Sequence, residues 1–159
     1  MIDFGESQFR IPKISVPINC LMMSDEKISG EIFVDDLGSH EYTSQQLIDF
    51  FNDEPPYFPI RTAIGSKPIL IQKCWVAQIE IIGMIKRFQE QSAPLVSQKR
   101  AILYRPPLAP VETTIILDMP EDHSRLLDLL NLQLTFIPAI VDGTYSLVNA
   151  RQIFKIEEI

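Results

Sequence analysis

The segment Leu47-Ile48-Asp49-Phe50-Phe51-Asn52 occurs a second time, with the same polar positions, as Leu126-Leu127-Asp128-Leu129-Leu130-Asn131. The match continues through three further pairs of segments: Tyr57-Phe58-Pro59 with Phe136-Ile137-Pro138, Gly65 with Gly143, and Ile79-Glu80 with Ile156-Glu157. The offset is 79 residues before the glycine (47 to 126), 78 at the glycine (65 to 143) and 77 after it (79 to 156). Self-similarity of this kind is typical of an internal duplication. We therefore expect two related units.

The duplicated segment has the pattern of a short amphipathic helix. Its apolar residues fall at i, i+1, i+3 and i+4, which is one face of a 3.6-residue period. Thr43 followed by Gln46 predicts a capping box at the start of the first copy, and Pro55-Pro56 ends it. In the second copy, Asp118-Met119-Pro120-Glu121 predicts the helix start, because proline and acids are favoured in a first turn.

Strands are predicted on both sides of each helix, where β-branched and aromatic runs alternate with turn residues. In chain order they are 14–22, 28–34, 57–64, 67–71, 75–82, 100–104, 112–117, 134–141, 144–148 and 152–158. Gly30 indicates a bulge or a close backbone approach. Pro59 and Pro138 indicate strand positions whose amide is unpaired, hence an edge or a bend.

The predicted fold class is α+β and β-dominated, with two pseudo-symmetric β-β-α-β-β units. A small five-stranded barrel of the Sm or SH3 type is the alternative closure of each unit. The chain divides into an N-terminal arm (1–13), repeat unit 1 (14–82), a linker with helix-forming residues (83–98) and repeat unit 2 (99–159). Neither unit buries much apolar surface alone, so we expect the two to pack together.

Composition limits the classes of function. The chain has 159 residues, of which 46% are apolar and 22% charged, as in folded globular proteins. A net charge of −7 disfavours a nucleic-acid partner. The sequence shows neither a secretory signal nor a run long enough to span a membrane. Cys20 and Cys74 lack metal-type spacing, and we expect reduced thiols in a cytoplasmic protein.

The chain also resembles a short bacterial domain of unknown function, present here as a tandem duplication. The resemblance rests on a Gly-Glu-Ile-Phe-Val strand (Gly30 to Val34), a Leu-x-Asp-x-x-Asn helix, a Phe-x-Pro strand and a Val-Asn-x-x-x-Ile strand. Residues 126–156 match the latter half best. The first unit departs by having Ile71-Gln72 in place of Val-Asn, and the second has no glycine before Glu112. The resemblance implies no catalytic residues and no cofactor.

Few residues are candidates for chemistry. His40 and His123 lie in acid-rich loops and are weak candidates for metal ligands, with solvated loop acids as the simpler interpretation. The conserved positions of the duplication, Asp49 with Asp128 and Asn52 with Asn131, are interpreted as solvated acids and helix C-terminal caps. Four aromatic residues would line a ligand cleft or interface, or form core: Tyr57, Phe58, Trp75 and Phe136.

These observations favour a non-enzymatic protein-interaction or scaffold module with a homodimer or protein partner. Small β units leave strand edges that must be paired, blocked or used. Residues 57–64 and 134–141 are the candidate edges. The alternative is a small-molecule-binding regulatory module with a pocket where the repeats meet. An RNA-binding small barrel, which the charge disfavours, and an enzyme are the remaining possibilities.

Overall fold

A computed structural model describes residues 11–65, 67–118 and 125–159 of the chain. Residues 119–121 of the predicted second helix start, His123 and most of the N-terminal arm lie outside these ranges. The strands are β1 (Lys13–Met22), β2 (Lys27–Asp35), β3 (Tyr57–Ile60), β4 (Ile69–Gln72), β5 (Val76–Ile81), β6 (Ser97–Tyr104), β7 (Val111–Leu117), β8 (Phe136–Val141), β9 (Thr144–Asn149) and β10 (Lys155–Glu158). The helices are α1 (Ser44–Asn52), α2 (Met84–Gln91) and α3 (Leu126–Leu130), with short 3₁₀ helices at Lys73–Trp75, Ala93–Leu95 and Ala150–Gln152.

The fold is β-dominated, as predicted, and most of its strands form one large antiparallel sheet with few helices. Eight strands form one sheet in the order β10-β6-β7-β8-β9-β5-β1-β2, and β3-β4 form a separate two-stranded sheet. The same kinds of pair occur in both halves: β1 pairs with β2 and β5, as β6 pairs with β7 and β10. Likewise, β3 pairs with β4 and β8 with β9. Among the described strands, a single junction, β5 with β9, joins the halves within the large sheet.

Local sequence signals account for the elements around α1 and the β8-β9 turn. The Thr43 side chain accepts from the Gln46 backbone N–H while the Gln46 side chain accepts from the Thr43 N–H, so the predicted capping box is confirmed. Leu47 and Phe51 are buried on the inner face of α1. Asp142 and Gly143 have φ values of 50° and 74°, the left-handed conformation that a two-residue hairpin turn requires.

Two apolar clusters form the interior. The larger one includes residues of both halves, since Phe136, Tyr145 and Leu147 of the second half are fully or almost fully buried among residues of the first. The smaller cluster consists of second-half residues such as Leu103, Leu126 and Val148. The two halves therefore share a core. The predicted linker contributes to it, because Met84 and Phe88 of α2 are buried in the larger cluster and the Phe88 ring lies 5.5 Å from that of Tyr145.

Proline decides where β2 and β3 stop pairing. Glu31 and Arg61 exchange two backbone hydrogen bonds of 2.9 Å, but the ladder does not continue toward Pro59. Lys73 donates its N–H to the Pro56 carbonyl, so every second residue from Pro56 onward directs its backbone groups toward β4. The backbone of Pro59 belongs to the other set and is directed toward β2. Lacking an N–H, Pro59 cannot donate to β2. The described strands accordingly form no closed barrel.

Gly30 allows this close approach. A Cβ atom at residue 30 would lie 2.5 Å from the Arg61 carbonyl oxygen and 2.8 Å from Ile60 Cγ1. Of the two alternatives predicted for Gly30, the structure therefore shows the close backbone approach. No helix in the described ranges is long and apolar enough to span a membrane.

Candidate interaction edges

The outer side of β4 is one edge of the fold. Its inner side pairs with β3, and no strand of the described chain pairs with its outer side. Ile69 and Leu70 are 45% and 67% exposed, whereas the next residue, Ile71, is buried. Because Lys73 bonds to Pro56, the residues that bond to β3 are Ile69 and Ile71, and the N–H and C=O groups of Leu70 and Gln72 point outward. We call this surface, Ile69 to Gln72, the β4 edge.

The outer side of β10 is a second edge. β10 pairs with β6 alone among the described strands. Ile159 donates its N–H to the Arg100 carbonyl, which places Glu157 among the residues bonded to β6 and directs the backbone groups of Ile156 and Glu158 outward. Phe154, just before the strand, is 76% exposed. We call residues Lys155 to Glu158 the β10 edge.

A groove lies beside the β10 edge. It has a volume of about 400 Å³ and is lined by apolar residues of the second unit, chiefly Leu130, Ile153, Phe154 and Ile156. The groove and the outward backbone groups thus form one continuous surface with both apolar and hydrogen-bonding character.

The β5-β9 junction is an example of two strand edges that cover each other. Ile79 lies opposite Leu147 in the ladder, and both side chains are fully buried. The Asn149 side chain donates to the carbonyls of Val76 (2.9 Å) and Lys73 (3.4 Å), so it ties the end of β9 to the first half.

Asn52 makes another polar contact between the halves. Its Nδ2 donates to the Phe136 carbonyl (2.9 Å), and its Oδ1 accepts from the Phe136 N–H (2.8 Å). Since Ala150 donates its N–H to the Thr135 carbonyl, the backbone N–H and C=O groups of Phe136 point away from β9. On that side β7 pairs with β8 only as far as Ala139, so it does not reach Phe136. The Asn52 amide therefore takes the place of a missing strand at Phe136.

The predicted role of Asn52 was incomplete. One of its bonds, to the Ile48 carbonyl at 2.9 Å, lies within the helix as a cap would, but the other two cross to β8. Asn131, its counterpart, is exposed, and its side chain forms no hydrogen bond within the described ranges. The sequence gives no local signal for this contact, because an Asn at the end of a helix also fits a cap and its partner Phe136 lies 84 residues away.

Lys73 carries out the capping that Asn52 was predicted to perform. Its Nζ donates to the carbonyls of Asp53 (3.0 Å) and Phe50 (3.5 Å) at the C-terminus of α1, where a cation is favoured. The side chain is only 7% exposed. Burial lowers the pKa of the Lys73 ammonium from its usual 10.5, and the nearby Asp53 carboxylate partly opposes this shift.

The four aromatic candidates separate into two groups. Phe58 and Phe136 are buried and lie edge-on to Phe51, at ring-centroid distances of 5.2 and 5.9 Å. They form core, one of the two interpretations left open. Tyr57 and Trp75 are 52% and 61% exposed, unlike the buried pair. Tyr57 directly precedes Phe58 on the strand next to the β4 edge.

One of the two predicted edges is wrong. Residues 134–141 contain β8, which lies between β7 and β9 inside the large sheet. Pro138 was interpreted as a sign of an edge, but it sits at the point where β7-β8 pairing stops, after Ala139. A proline at that point marks an unpaired amide without making the strand an outer one. The other predicted edge, 57–64, contains β3, and the open edge beside it belongs to β4.

His40 lies apart from these edges. Its Nδ1 is 2.7 Å from Asp36 Oδ2, and the side chain is 88% exposed. Backbone N–H groups of Gly38 and then His40 lower the pKa of the Asp36 carboxyl. Among the described residues no three His, Cys, Asp or Glu side chains gather as a metal site would need.

A cavity of about 460 Å³ is lined by residues of both halves. Arg105 lines it and is only 3% exposed, with Nη1 3.5 Å from the Ala77 carbonyl. Arg105 Nε and Gln78 Oε1, both buried, find no partner within the described ranges. Burial lowers the pKa of the Arg105 guanidinium. None of the four predicted aromatic residues lines this cavity, and Arg105 was not among the candidates.

No family model, curated protein or solved structure matches this chain.

Proposed function

We propose that the chain is a non-enzymatic, cytoplasmic protein-interaction module that binds an extended partner segment along the β4 edge. The observation that carries this proposal is the contrast between two equivalent strands. β9 is paired on both sides, by β8 and β5, whereas β3 is the only described strand that pairs with β4. Both thiols are free, Cys20 buried and Cys74 exposed, in keeping with a reducing compartment.

The equivalence of β4 and β9 is part of the proposal. We take the two halves to be pseudo-symmetric repeats, supported by their common element order and their matching strand pairs. After the glycine turn the offset is 77, which relates Leu70 to Leu147 and Ile69 to Ser146. Leu147 and Ser146 are fully buried, while Leu70 and Ile69 are exposed. The first unit therefore leaves exposed a strand edge whose counterpart in the second unit is buried.

Strand addition suits this edge physically. The outward N–H and C=O groups of Leu70 and Gln72 supply main-chain hydrogen bonds, and the exposed Ile69 and Leu70 side chains supply apolar contacts on either face. Natural proteins blunt unused edges with charges or prolines. The β4 edge carries neither at its centre, although Pro68 precedes it.

Selection from a displayed library of short random peptides tests this function. We expect binders with alternating apolar residues, and we expect Leu70→Pro to abolish their binding because it removes an outward N–H. Leu37→Pro is the matched control, since Leu37 is 73% exposed in a loop outside the β4 edge. Peptides that bind wild type and Leu70→Pro equally well would contradict the proposal, as would a selection that yields no binders.

The cavity at Arg105 supports a second candidate function, small-molecule binding where the repeats meet. Arg105 is 3% exposed and forms no ion pair within the described residues, so a bound anion would offset part of the cost of burying its charge; Asp25, Glu80 and Asp142 also line the cavity. The class of ligand that fits is a small carboxylate or phosphate, with a donor group placed to reach Gln78 Oε1.

A thermal-shift screen against small carboxylates and phosphates tests the second candidate. A ligand that binds only the folded chain raises its melting temperature. We expect the shift to disappear in Arg105→Met and to persist in Arg100→Met, which changes an exposed arginine on β6, the strand just before Arg105. A panel that shifts neither protein, or shifts both equally, would contradict ligand binding at Arg105.

A further inference from the structure

The β5-β9 junction within the chain is a template for a junction between chains. In it, the last strand of the first unit, β5, pairs with the fourth strand of the second unit, β9. Two edges that stay open among the described strands are the last strand of the second unit, β10, and the fourth strand of the first, β4, whereas the outer strand β2 bonds to Arg61. The β10 and β4 edges are therefore the counterparts of the two sides of a junction that the chain already forms.

We propose that β10 of one copy pairs antiparallel with β4 of a second copy, in a head-to-tail contact that repeats the β5-β9 junction. This proposal rests on the proposed function and names the partner of the β4 edge as this same chain. The 77-residue offset sets the register: Ile79 opposite Leu147 becomes Ile156 opposite Leu70. By the same rule, Glu157 lies opposite Ile69, as Glu80 lies opposite Ser146.

The backbone of both edges agrees with this register. On β10, Ile156 is among the residues whose N–H and C=O groups point away from β6. On β4, Leu70 is among those whose groups point away from β3. A pair of opposite residues exchanges two hydrogen bonds only if both direct their groups toward the new partner. A register shifted by one residue would place an outward-pointing residue of one strand opposite an inward-pointing residue of the other. The hydrogen-bond pattern of β4 and β10 therefore supports this register independently of the sequence offset.

Side-chain exposure agrees as well. Leu147, which the internal junction covers, is fully buried, and its counterpart Leu70 is 67% exposed. Phe154 at the start of the β10 edge is 76% exposed beside the apolar groove. Pairing the two edges brings these apolar groups together and removes them from water. Lys67, exposed just before β4, lies diagonally across from Glu157 on the same face in this register, so the charges at that end of the pair are complementary.

The Asn52 contact provides a third correspondence. Asn52 bonds both backbone groups of Phe136, and the 79-residue offset relates these residues to Asn131 and Tyr57. Asn131 is exposed, and the backbone groups of Tyr57 point away from β4. In the head-to-tail contact, Asn131 of one copy reaches Tyr57 of the next. The Tyr57 ring then enters the groove beside Leu130, as the Phe136 ring lies 5.9 Å from Phe51, the counterpart of Leu130.

A contact between two different surfaces is heterologous, so each copy keeps one edge for a further copy. Such contacts generate closed rings when the rotation from copy to copy closes, and filaments when it does not. The expected assembly is therefore a ring with equal β10-β4 junctions or an open filament.

Mixed disulfide trapping tests the proposal with the full chain. Cys74→Ser removes the exposed thiol, and Cys20 stays buried. In this background, Ile69→Cys and Glu157→Cys are made in separate proteins, both at exposed positions that the proposed register places opposite each other. We expect oxidation of the equimolar mixture to give a disulfide joining one copy of each, while each protein alone gives none. Phe33→Cys, on the outer strand β2, is the control for a wrong edge and should not couple to Glu157→Cys.

The remaining outcomes overturn the proposal. Coupling of Ile69→Cys to itself indicates symmetric β4-β4 pairing, and absence of the mixed product under oxidation that couples free thiols indicates no contact. Adding Asn131→Ala to the Glu157→Cys protein should lower the mixed yield severalfold, and adding Asp49→Ala to it should not. If peptide selection on the β4 edge succeeds while trapping fails, the partner is another protein and the interaction function stands. If both fail, the β4 edge is not a binding surface.

Discussion

Replacing Asn52 by Ala removes the amide that serves Phe136 in place of a strand. Phe136 is fully buried, so its N–H and C=O groups cannot turn to water. A net hydrogen bond contributes roughly 0.5–1.5 kcal/mol, and an unsatisfied buried group costs roughly 1–3 kcal/mol. With two groups of Phe136 losing their partner at once, we expect the free energy of unfolding to fall by about 2–4 kcal/mol.

Urea denaturation followed by tryptophan fluorescence and circular dichroism measures this loss. Asn131→Ala is the matched control, because Asn131 is exposed and lacks a hydrogen bond in the described chain. In dilute protein, where copies are separate, we expect the control to change the free energy by less than about 0.5 kcal/mol, as exposed substitutions usually do. Equal losses in the two variants, or no loss in Asn52→Ala, would refute the assignment of Asn52 to the contact between halves.

Three further perturbations probe other parts of the structure. Gly30→Ala places a Cβ 2.5 Å from the Arg61 carbonyl, so a loss of about 1–3 kcal/mol is expected in urea denaturation, and wild-type stability would contradict the close approach of β2 and β3. Native protein should give one rapidly reacting thiol with Ellman's reagent, from Cys74, and a second only after denaturation; two fast thiols would show that Cys20 is not buried. Burial raises the pKa of the Cys20 thiol from 9.0 to about 12, so the unfolded chain loses this proton at lower pH than the folded chain. The free energy of unfolding should therefore fall by roughly 1.4 kcal/mol per pH unit between these two values. A Cys20→Ala variant should show a shallower fall over the same range.

Local signals predicted the secondary structure well, since capping, turn and helix-stop residues act over a few positions. Thr43 with Gln46 and Asp142 with Gly143 correctly marked a helix start and a hairpin turn. The strands flanking them were placed within a few residues. Boundaries differed most for β3, predicted over 57–64 and observed over Tyr57–Ile60, because pairing with β4 rather than strand propensity limits its length.

Relations between the halves were harder to predict, because they depend on which strand reaches which edge. Pro138 signals an unpaired amide, but only the neighbouring strands decide that β8 is interior while β4 is not. Asn52 looked like a cap since its partner, Phe136, lies 84 residues away and nothing local indicates it. Arg105 follows a strand as an ordinary surface arginine would, and its burial arises only when the two halves meet. The candidate surfaces thus required the three-dimensional arrangement.

Residue-resolved hydrogen exchange at low and high protein concentration tests most directly whether the β4 edge receives β10 of another copy. In dilute protein, the amides of Leu70, Gln72 and Ile156 point outward and should exchange fast, while that of Ile71 is protected by β3. We predict that Leu70, Gln72 and Ile156 become protected together as concentration rises. Fast exchange at these three amides at every concentration, with Ile71 protected throughout, would contradict the head-to-tail contact.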